Sequence, residues 1–491
     1  AVVNAGTYDD GHLKVTLTVS EDRDTSLLFT TASGRTVLSR MISQGTNHDT
    51  YYVHDLRDSL VCGIPPMGTP MVGSGFAFDS QLAKDYCFTY SYDAFGNMIE
   101  RHVPGAGVEV MAYDLAGRVA AYADAQMREA GLYRYTVYDS MGRVTEEGYA
   151  SSGKSPQQIR SELRLEDAQI KLILSQTTPL RVCEYYSGSV LPGGFVPESG
   201  VTGSGDVTAS GCRTLLKKER IYEDPYIDGT SCVSSATWRE RTYFYDPKGR
   251  LVQTVETGSD GWTSRYSVKY VFTGNVLASA ERHSDGTGED HALTTYEYDS
   301  RGRVLTCGRR VNGQELATLV YSYDDLGRMA AKTVQGRVTE EYSYNMHGWR
   351  IGQQVTLYGT PQVFEQELRH YDPHQESTQP RYGGYVSESE DAHYGRAART
   401  TAYGYDRIGR MTEASRNDGT SESASYDLNG NVLTLNGLSF SHQGNRMTGA
   451  QDVSADVDAQ FTWWSDGCMK HDSEKNLHFC YNFSNLPSAL F

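Results

Sequence analysis

Tyr298-Asp299-Ser300-Arg301-Gly302-Arg303 and, 25 residues on, Tyr323-Asp324-Asp325-Leu326-Gly327-Arg328 are two copies of one unit. The tyrosine-aspartate-x-x-glycine pattern also stands at Tyr92-Asp93…Gly96, Tyr113-Asp114…Gly117 and Tyr138-Asp139…Gly142. It returns at Tyr245-Asp246…Gly249, Tyr405-Asp406…Gly409 and Tyr426-Asp427…Gly430. The interval is 21 residues from Tyr92 to Tyr113 and from Tyr405 to Tyr426, and 25 from Tyr113 to Tyr138. Self-similarity at such a period marks a repeat architecture. Weaker copies begin at Tyr270, Tyr344 and Phe440, and His54-Asp55 and Tyr481-Asn482 read as eroded ends of the series.

A second mark falls between the copies: Asp260-Gly261, Asp285-Gly286, Asn312-Gly313, Gln335-Gly336, Asp418-Gly419 and Asn436-Gly437. Asn-Gly and Asp-Gly suit the positive φ angles of a type I′ hairpin turn. Each repeat therefore reads as strand, tight turn, strand, Tyr-Asp turn. Along Trp262–Tyr270 the residues Trp262, Tyr266, Val268 and Tyr270 share one face, and Thr263, Arg265, Ser267 and Lys269 the other. Connections this short exclude parallel crossovers, so the strands are antiparallel. The aspartate accepts backbone N–H groups to close its turn, and the glycine supplies a left-handed position. Equivalent tyrosines are expected to stack as a ladder. A catalytic pair repeated so often makes no chemical sense, so the motif residues are read as structural.

Motif and spacing resemble the RHS/YD-repeat family, which includes bacterial RHS and wall-associated proteins, Tc-toxin shell components and the animal teneurins. The resemblance covers roughly residues 31–150 and 236–491. The run Tyr426–Gly437, with Gln443-Gly-Asn-Arg-Met447 and Tyr481–Pro487, is similar in style to Bacteroidetes members. The resemblance implies a continuous antiparallel β-strip winding into a sheet or partial hollow shell. It also implies export. Cargo-carrying members have an Asp-Pro-x-Gly-Arg-like core for self-cleavage. Here Tyr371-Asp372-Pro373 is followed by His-Gln-Glu, so autoproteolysis is not carried over. The first residues, Ala-Val-Val-Asn, and the stop at Phe491 in mid-series suggest either a removed signal peptide or a fragment of a longer RHS protein.

Three regions are expected: 1–150 with N-terminal strands and the first repeats, 151–235 as an insertion, and 236–491 as the main array, irregular at about 350–400. In the insertion, Ser155-Pro156-Gln157-Gln158 is a capping box with proline at the first helical position. It predicts one inserted helix over roughly 156–174. Residues 187–211 are rich in Gly, Ser, Pro and Val and read as a long loop, either functional, tolerated, or a plug packed on the shell.

The chain has 491 residues, 35 Tyr, 49 Gly and a net charge of −17. That charge argues against nucleic acid as a partner and against a polybasic membrane anchor. No apolar run is long enough to insert in a membrane. Eight cysteines show no Cys-x-x-Cys spacing. Cys212 with Cys232, or Cys468 with Cys480, are candidate bridges, against free and mostly buried thiols. No nucleophile elbow, zinc-protease helix or phosphate loop is present, so no catalytic residue and no cofactor is assigned. His370, Asp372 and His374 are interrupted by Pro373, and Asp452, Asp456 and Asp458 lack the frame of a calcium loop, so no metal is assigned. Trp262, Trp463 and Trp464 are candidates for a carbohydrate platform, against a role in packing. Three readings follow, the first two being an exported scaffold whose β-shell encloses or presents a polypeptide segment, and a cell-surface module binding a glycan or protein. A hydrolase hidden on the scaffold is the third.

Overall fold

A computed structural model describes residues 11–491 apart from 44, 72–79, 166–167, 189, 224, 229–230, 234–236, 361 and 453–455, with backbone alone at 70–71 and 231–233. The fold is mainly β. From Leu13–Val19 to Pro487–Leu490 each strand pairs with the one before and the one after, always antiparallel. One short hairpin, Tyr226–Asp228 with Ser231–Val233, leaves this order. Leu216–Tyr222 pairs past it with Trp238–Tyr245, and Tyr226–Asp228 pairs instead with Leu477–Asn482. The strip also runs unbroken through 151–235, because Val144–Ser151, Thr177–Tyr185 and Leu216–Tyr222 are successive neighbours.

The mid-repeat turns divide into two kinds. At Asn312-Gly313 and Asn436-Gly437 both residues have positive φ, as a type I′ turn requires. At Asp260, Asp285, Gln335 and Asp418 only the following glycine is left-handed, which corrects the uniform type I′ expectation. At Asp260 and Asp418 the loop is one residue longer: the Gly258 N–H donates to Trp262 and the Arg416 N–H to Thr420 across it. A longer loop moves the left-handed position onto the glycine alone.

Gly302 and Gly327 sit at φ +80° and +87° in Tyr-Asp turns. A Cβ at Gly327 would lie 3.2 Å from Arg303 Nη1, and one at Gly302 3.2 Å from Asn275 Nδ2. Gly302→Val or Gly327→Val is expected to destabilise the local repeat by more than about 1 kcal/mol, since a β-branched residue resists positive φ. Thermal melts and local hydrogen exchange check this, and unchanged values in both variants would contradict the turn geometry.

Among the described residues there are two α-helices within 156–174 instead of one, and two more lie elsewhere: α1 (Gln81–Tyr86), α2 (Ala125–Glu129), α3 (Pro156–Glu162) and α4 (Ile170–Ile173). The capping box forms at the start of α3, with Ser155 Oγ accepting from Gln158 N–H and Gln158 Oε1 from Ser155 N–H. α3 is capped at Leu163, and the next residue, Arg164, reaches Asp93, 2.6 Å distant, and stacks on Phe95. α1 and α2 are each under two turns, too short to show a 3.6-residue period. They are marked only by their caps, Ser80 and Asp124. The largest core lies here: Ile159, Leu163, Ile170 and Leu174 bury against Ala112, Ala121, Ala123 and Ala150. Small alanines let the helices approach the sheet closely.

Early and late parts of the strip lie side by side. Asp22 accepts the N–H groups of Tyr382 and Gly383, His48 Nδ1 meets the Leu428 carbonyl at 3.1 Å, and Met67 N–H donates to Asn429. Further along, Arg446 donates to the Gly105 carbonyl, and Phe483 stacks on Tyr149 at 5.0 Å. The hydrogen-bonded partners are 341 to 380 residues apart, and both members advance together along the chain. A second pass therefore runs alongside the first in the same direction, which is a spiral. Glycines permit the close approach: a Cβ on Gly444 would fall 2.4 Å from the Asp85 carbonyl oxygen, and one on Gly467 3.1 Å from Ala106. From His48 to Leu428 there are about 24 strand-to-strand steps of ~4.8 Å, a contour of roughly 115 Å and a turn about 35 Å across. The exposed surface is 27193 Å². A compact 54.5 kDa chain would expose only about 18,000 Å². The excess is what a thin sheet with two accessible faces presents.

Candidate functional site

The repeated unit builds one continuous edge of the strip. In all eight strict copies the aspartate N–H donates to the carbonyl four residues on, at 2.9 Å. Asp299 Oδ1 accepts the N–H groups of Arg301 and Arg303, both at 2.9 Å, and Oδ2 accepts Arg303 Nε at 2.7 Å. The Arg303 N–H bond, offsetting a small burial cost, and the Arg303 side chain hold the Asp299 carboxyl below its usual range. The same pairing recurs at Asp114–Arg118, Asp139–Arg143, Asp246–Arg250, Asp324–Arg328 and Asp406–Arg410.

The tyrosines do not stack on each other. Equivalent positions lie two strands apart, about 9.6 Å, beyond the 4.5–7 Å reach of a ring pair. The arginine fills the gap. Arg303 lies 4.3 Å over the Tyr323 ring, and the Tyr323 hydroxyl donates to the Val304 carbonyl at 2.8 Å. Arg118 covers Tyr138, Arg250 covers Tyr270, Arg328 covers Tyr344 and Arg410 covers Tyr426 in the same way. Tyr92, Tyr113, Tyr245, Tyr298 and Tyr405 make the equivalent hydroxyl bond to the preceding hairpin. A tyrosine–arginine ladder thus links each turn to the next.

Three residues of the ladder lie outside the sequence motif. Tyr185 carries it across the 151–235 region, under Arg143 at 4.2 Å and bonded to the Val144 carbonyl. Arg164 serves Asp93, whose own copy has Asn97 where others have arginine. Arg381 lies 5.2 Å over Tyr405 and donates to its carbonyl. The tandem Tyr185-Tyr186-Ser-Gly188 was a faint signal for the first, but no local pattern announces the two arginines.

The tryptophans separate. Trp463 takes a tyrosine's place, its Nε1 donating to the Met447 carbonyl at 2.7 Å. Trp464 is 8% exposed with Nε1 on the Phe479 carbonyl, so its face is not open to a sugar ring, which corrects its place in a platform. Trp262 is half-buried beside His283 and, with Trp238, Tyr222, Arg239 and Asp260, lines a cleft of about 520 Å³.

The 186–215 loop lies across five neighbouring strands between Trp238 and Tyr298. Phe195 meets Phe244 edge-on at 5.4 Å, and Val196 exchanges two hydrogen bonds with Gln253. Val201 is buried against Ala278 and Ala280. Glu198, 3% exposed, accepts from Arg282 Nε and Nη2 at 2.8 and 3.0 Å, with Arg265 and His291 each at 3.5 Å. Burial pushes its carboxyl up, but Arg282, His291 and Arg265 outweigh that and hold it below the usual range.

In the irregular stretch, Arg369 binds Glu388, which is fully buried and also accepts the N–H groups of His374 and Gln375. His370 Nδ1 contacts the Tyr385 carbonyl, so His370 and His374 serve this fold-back. Asp452 pairs with Val457 in a hairpin, and Asp458 accepts from Gln451 and Gln460. The seven described cysteines are unbridged, Cys468 and Cys480 included, and the Cys232 side chain lies outside the described residues. The structure brings Cys62 and Cys87 together instead: their hydrogen bond, with burial, pushes the Cys62 thiol up.

No protein-family model matches the chain, and no curated protein is similar to it. Among solved structures, a mutant Tc holotoxin pore from Photorhabdus luminescens aligns over 96% of this chain and 23% of its own, at 12% identity and TM-score 0.42. The TcdB2-TccC3-Cdc42 structure aligns over 96% and 26%, at 12% identity and TM-score 0.36. The chain spans about a quarter of those structures' length. Among the described residues no helix is long and apolar enough to cross a membrane.

Proposed function

We propose that this chain is an exported scaffold whose wound β-strip forms part of a shell that encloses or presents a polypeptide segment. The observation that carries the reading is the seam, where a second pass of the strip docks along the first. Closing a turn in this way defines an interior. With side chains adding ~5 Å to each side of the sheet, a turn about 35 Å across leaves a bore of roughly 25 Å, wide enough for an extended chain. The 186–215 loop, latched by Glu198, covers part of one face. Export rests on the resemblance of the repeat motif.

The test is protease treatment of the native protein from its source, with intact mass spectrometry before and after. The proposal expects recovery from medium or cell surface, and a polypeptide segment outside the strip that survives digestion until the shell is unfolded. Digestion of every non-strip segment at once would overturn enclosure. The cleft beside Trp238 and Trp262 sustains the second reading, a surface binding module. A soluble glycan or peptide that protects Trp262 fluorescence from quenching would favour it.

A further inference from the structure

The side hairpin that leaves the strip ends on a cluster of Asp, His and Cys with no counterpart among the described residues. Ile227 pairs with Tyr481 and Tyr226 with Asn482, so the next position places Asp228 opposite Cys480. His478 stands two residues before Cys480 on the same strand and therefore on the same face. The donor atoms of Asp228, His478 and Cys480 all lie within 4.8 Å of one another.

We propose that Asp228, His478 and Cys480 form a binding site for a divalent cation of the zinc class. With bonds of about 2.0–2.3 Å, a tetrahedral zinc ion spaces its donor atoms roughly 3.3–3.7 Å apart. Asp228 Oδ1 and His478 Nε2 are 3.4 Å apart, which already meets that spacing. The Cys480 sulfur completes it by a shift of no more than about 1 Å, within reach of a side-chain rotation. The imidazole is held in place: its ring meets Trp464 edge-on at 5.6 Å and Phe491 at 6.1 Å. A thiolate with an imidazole and a carboxylate selects zinc-like ions over magnesium or calcium, which take oxygen ligands. Cys480 is fully buried while Asp228 is exposed. The dry side is therefore supplied by protein and the open side leaves a fourth position to water.

The ligands come from strands about 250 residues apart in the chain. An ion bound here clips the excursion from the 151–235 region onto the last strands of the second pass, so it would act as a structural clasp on the wound state.

The metal-stripped full chain is titrated with Co²⁺ alone. The expected result is one Co²⁺ per chain, with thiolate-to-cobalt charge-transfer absorption and the strong visible bands of tetrahedral coordination, both abolished by Zn²⁺. Asp228→Asn, at an exposed position, is expected to keep the metal-free melting temperature while weakening the bands. Cys480→Ala is expected to remove the charge-transfer absorption. The proposal is overturned if the unmodified chain binds no Co²⁺. It is also overturned if the absorption persists in Cys480→Ala, because another cysteine would then be the ligand. If Cys480→Ala fails to fold, His478→Ala is read by the same criteria.

Discussion

Glu198→Ala is expected to weaken attachment of the 186–215 loop by about 1.5–3 kcal/mol, the usual range for hydrogen bonds to a charged group. The deletion removes the carboxylate that accepts two bonds from Arg282, which keeps Glu289 at 3.1 Å, and takes the neighbouring anion from Arg265 and His291. The loop retains Val201 on Ala278 and Ala280 and the Gln253 contacts. Stability in a strip of repeats is local. The loss therefore appears as faster proteolysis and hydrogen exchange within 186–215 and the five strands beneath it, with distant repeats unchanged. Acid acts through the same group. The folded Glu198 carboxyl titrates below its ordinary value of about 4.3. Its contribution is therefore fully present above that pH and is lost as pH falls through the lower folded value. Protease sensitivity of the loop is expected to rise in that acid window in the parent protein and to be flat across it in Glu198→Ala. Equal loop protection in parent and variant at neutral pH would refute the latch.

Arg369→Met is expected to cost more, about 3–5 kcal/mol, because it leaves a buried carboxylate without its cation. Glu388 is 0% exposed and would keep only the two backbone N–H groups of His374 and Gln375. Glu367 and Glu390, the other acids around Arg369, would meet without a cation between them. The melting transition of the variant should fall, and exchange should quicken through 370–393. Arg369→Met with Glu388→Gln should recover part of the loss, because no charge is then left buried and the amide oxygen still accepts from the backbone. A double variant no better than the single would show that packing, not the unpaired carboxylate, sets the cost.

Much of the strip was legible because its signals are local. Asp299 closes its turn on residues two and four positions away, and Gly302 needs only its own φ. The capping box at Ser155 likewise lies within four residues and formed as read. The tyrosine ladder was misjudged for a geometric reason: tyrosines one hairpin apart are separated by two strand spacings, and Arg303 or its equivalent bridges them. Trp463 was read either as part of a carbohydrate platform or as a packing residue, and the sequence did not show that its Nε1 holds a tyrosine's place on the Met447 carbonyl.

The sequence by itself determined the repeat unit, the antiparallel order, the chemistry of the Tyr-Asp turns, and the start of α3. These depend on contacts within a hairpin, where short-range sterics and hydrogen bonds leave few alternatives. Only the tertiary structure decided that the strip winds past a full turn, that Arg164 and Arg381 serve turns outside their own segments, and that Glu198 meets Arg282. It alone decided that Asp228 faces His478 and Cys480. Curvature accumulates from a small twist at each strand pair. The partners it brings together, up to 380 residues apart, are therefore set by the sum of many repeats and by no single one.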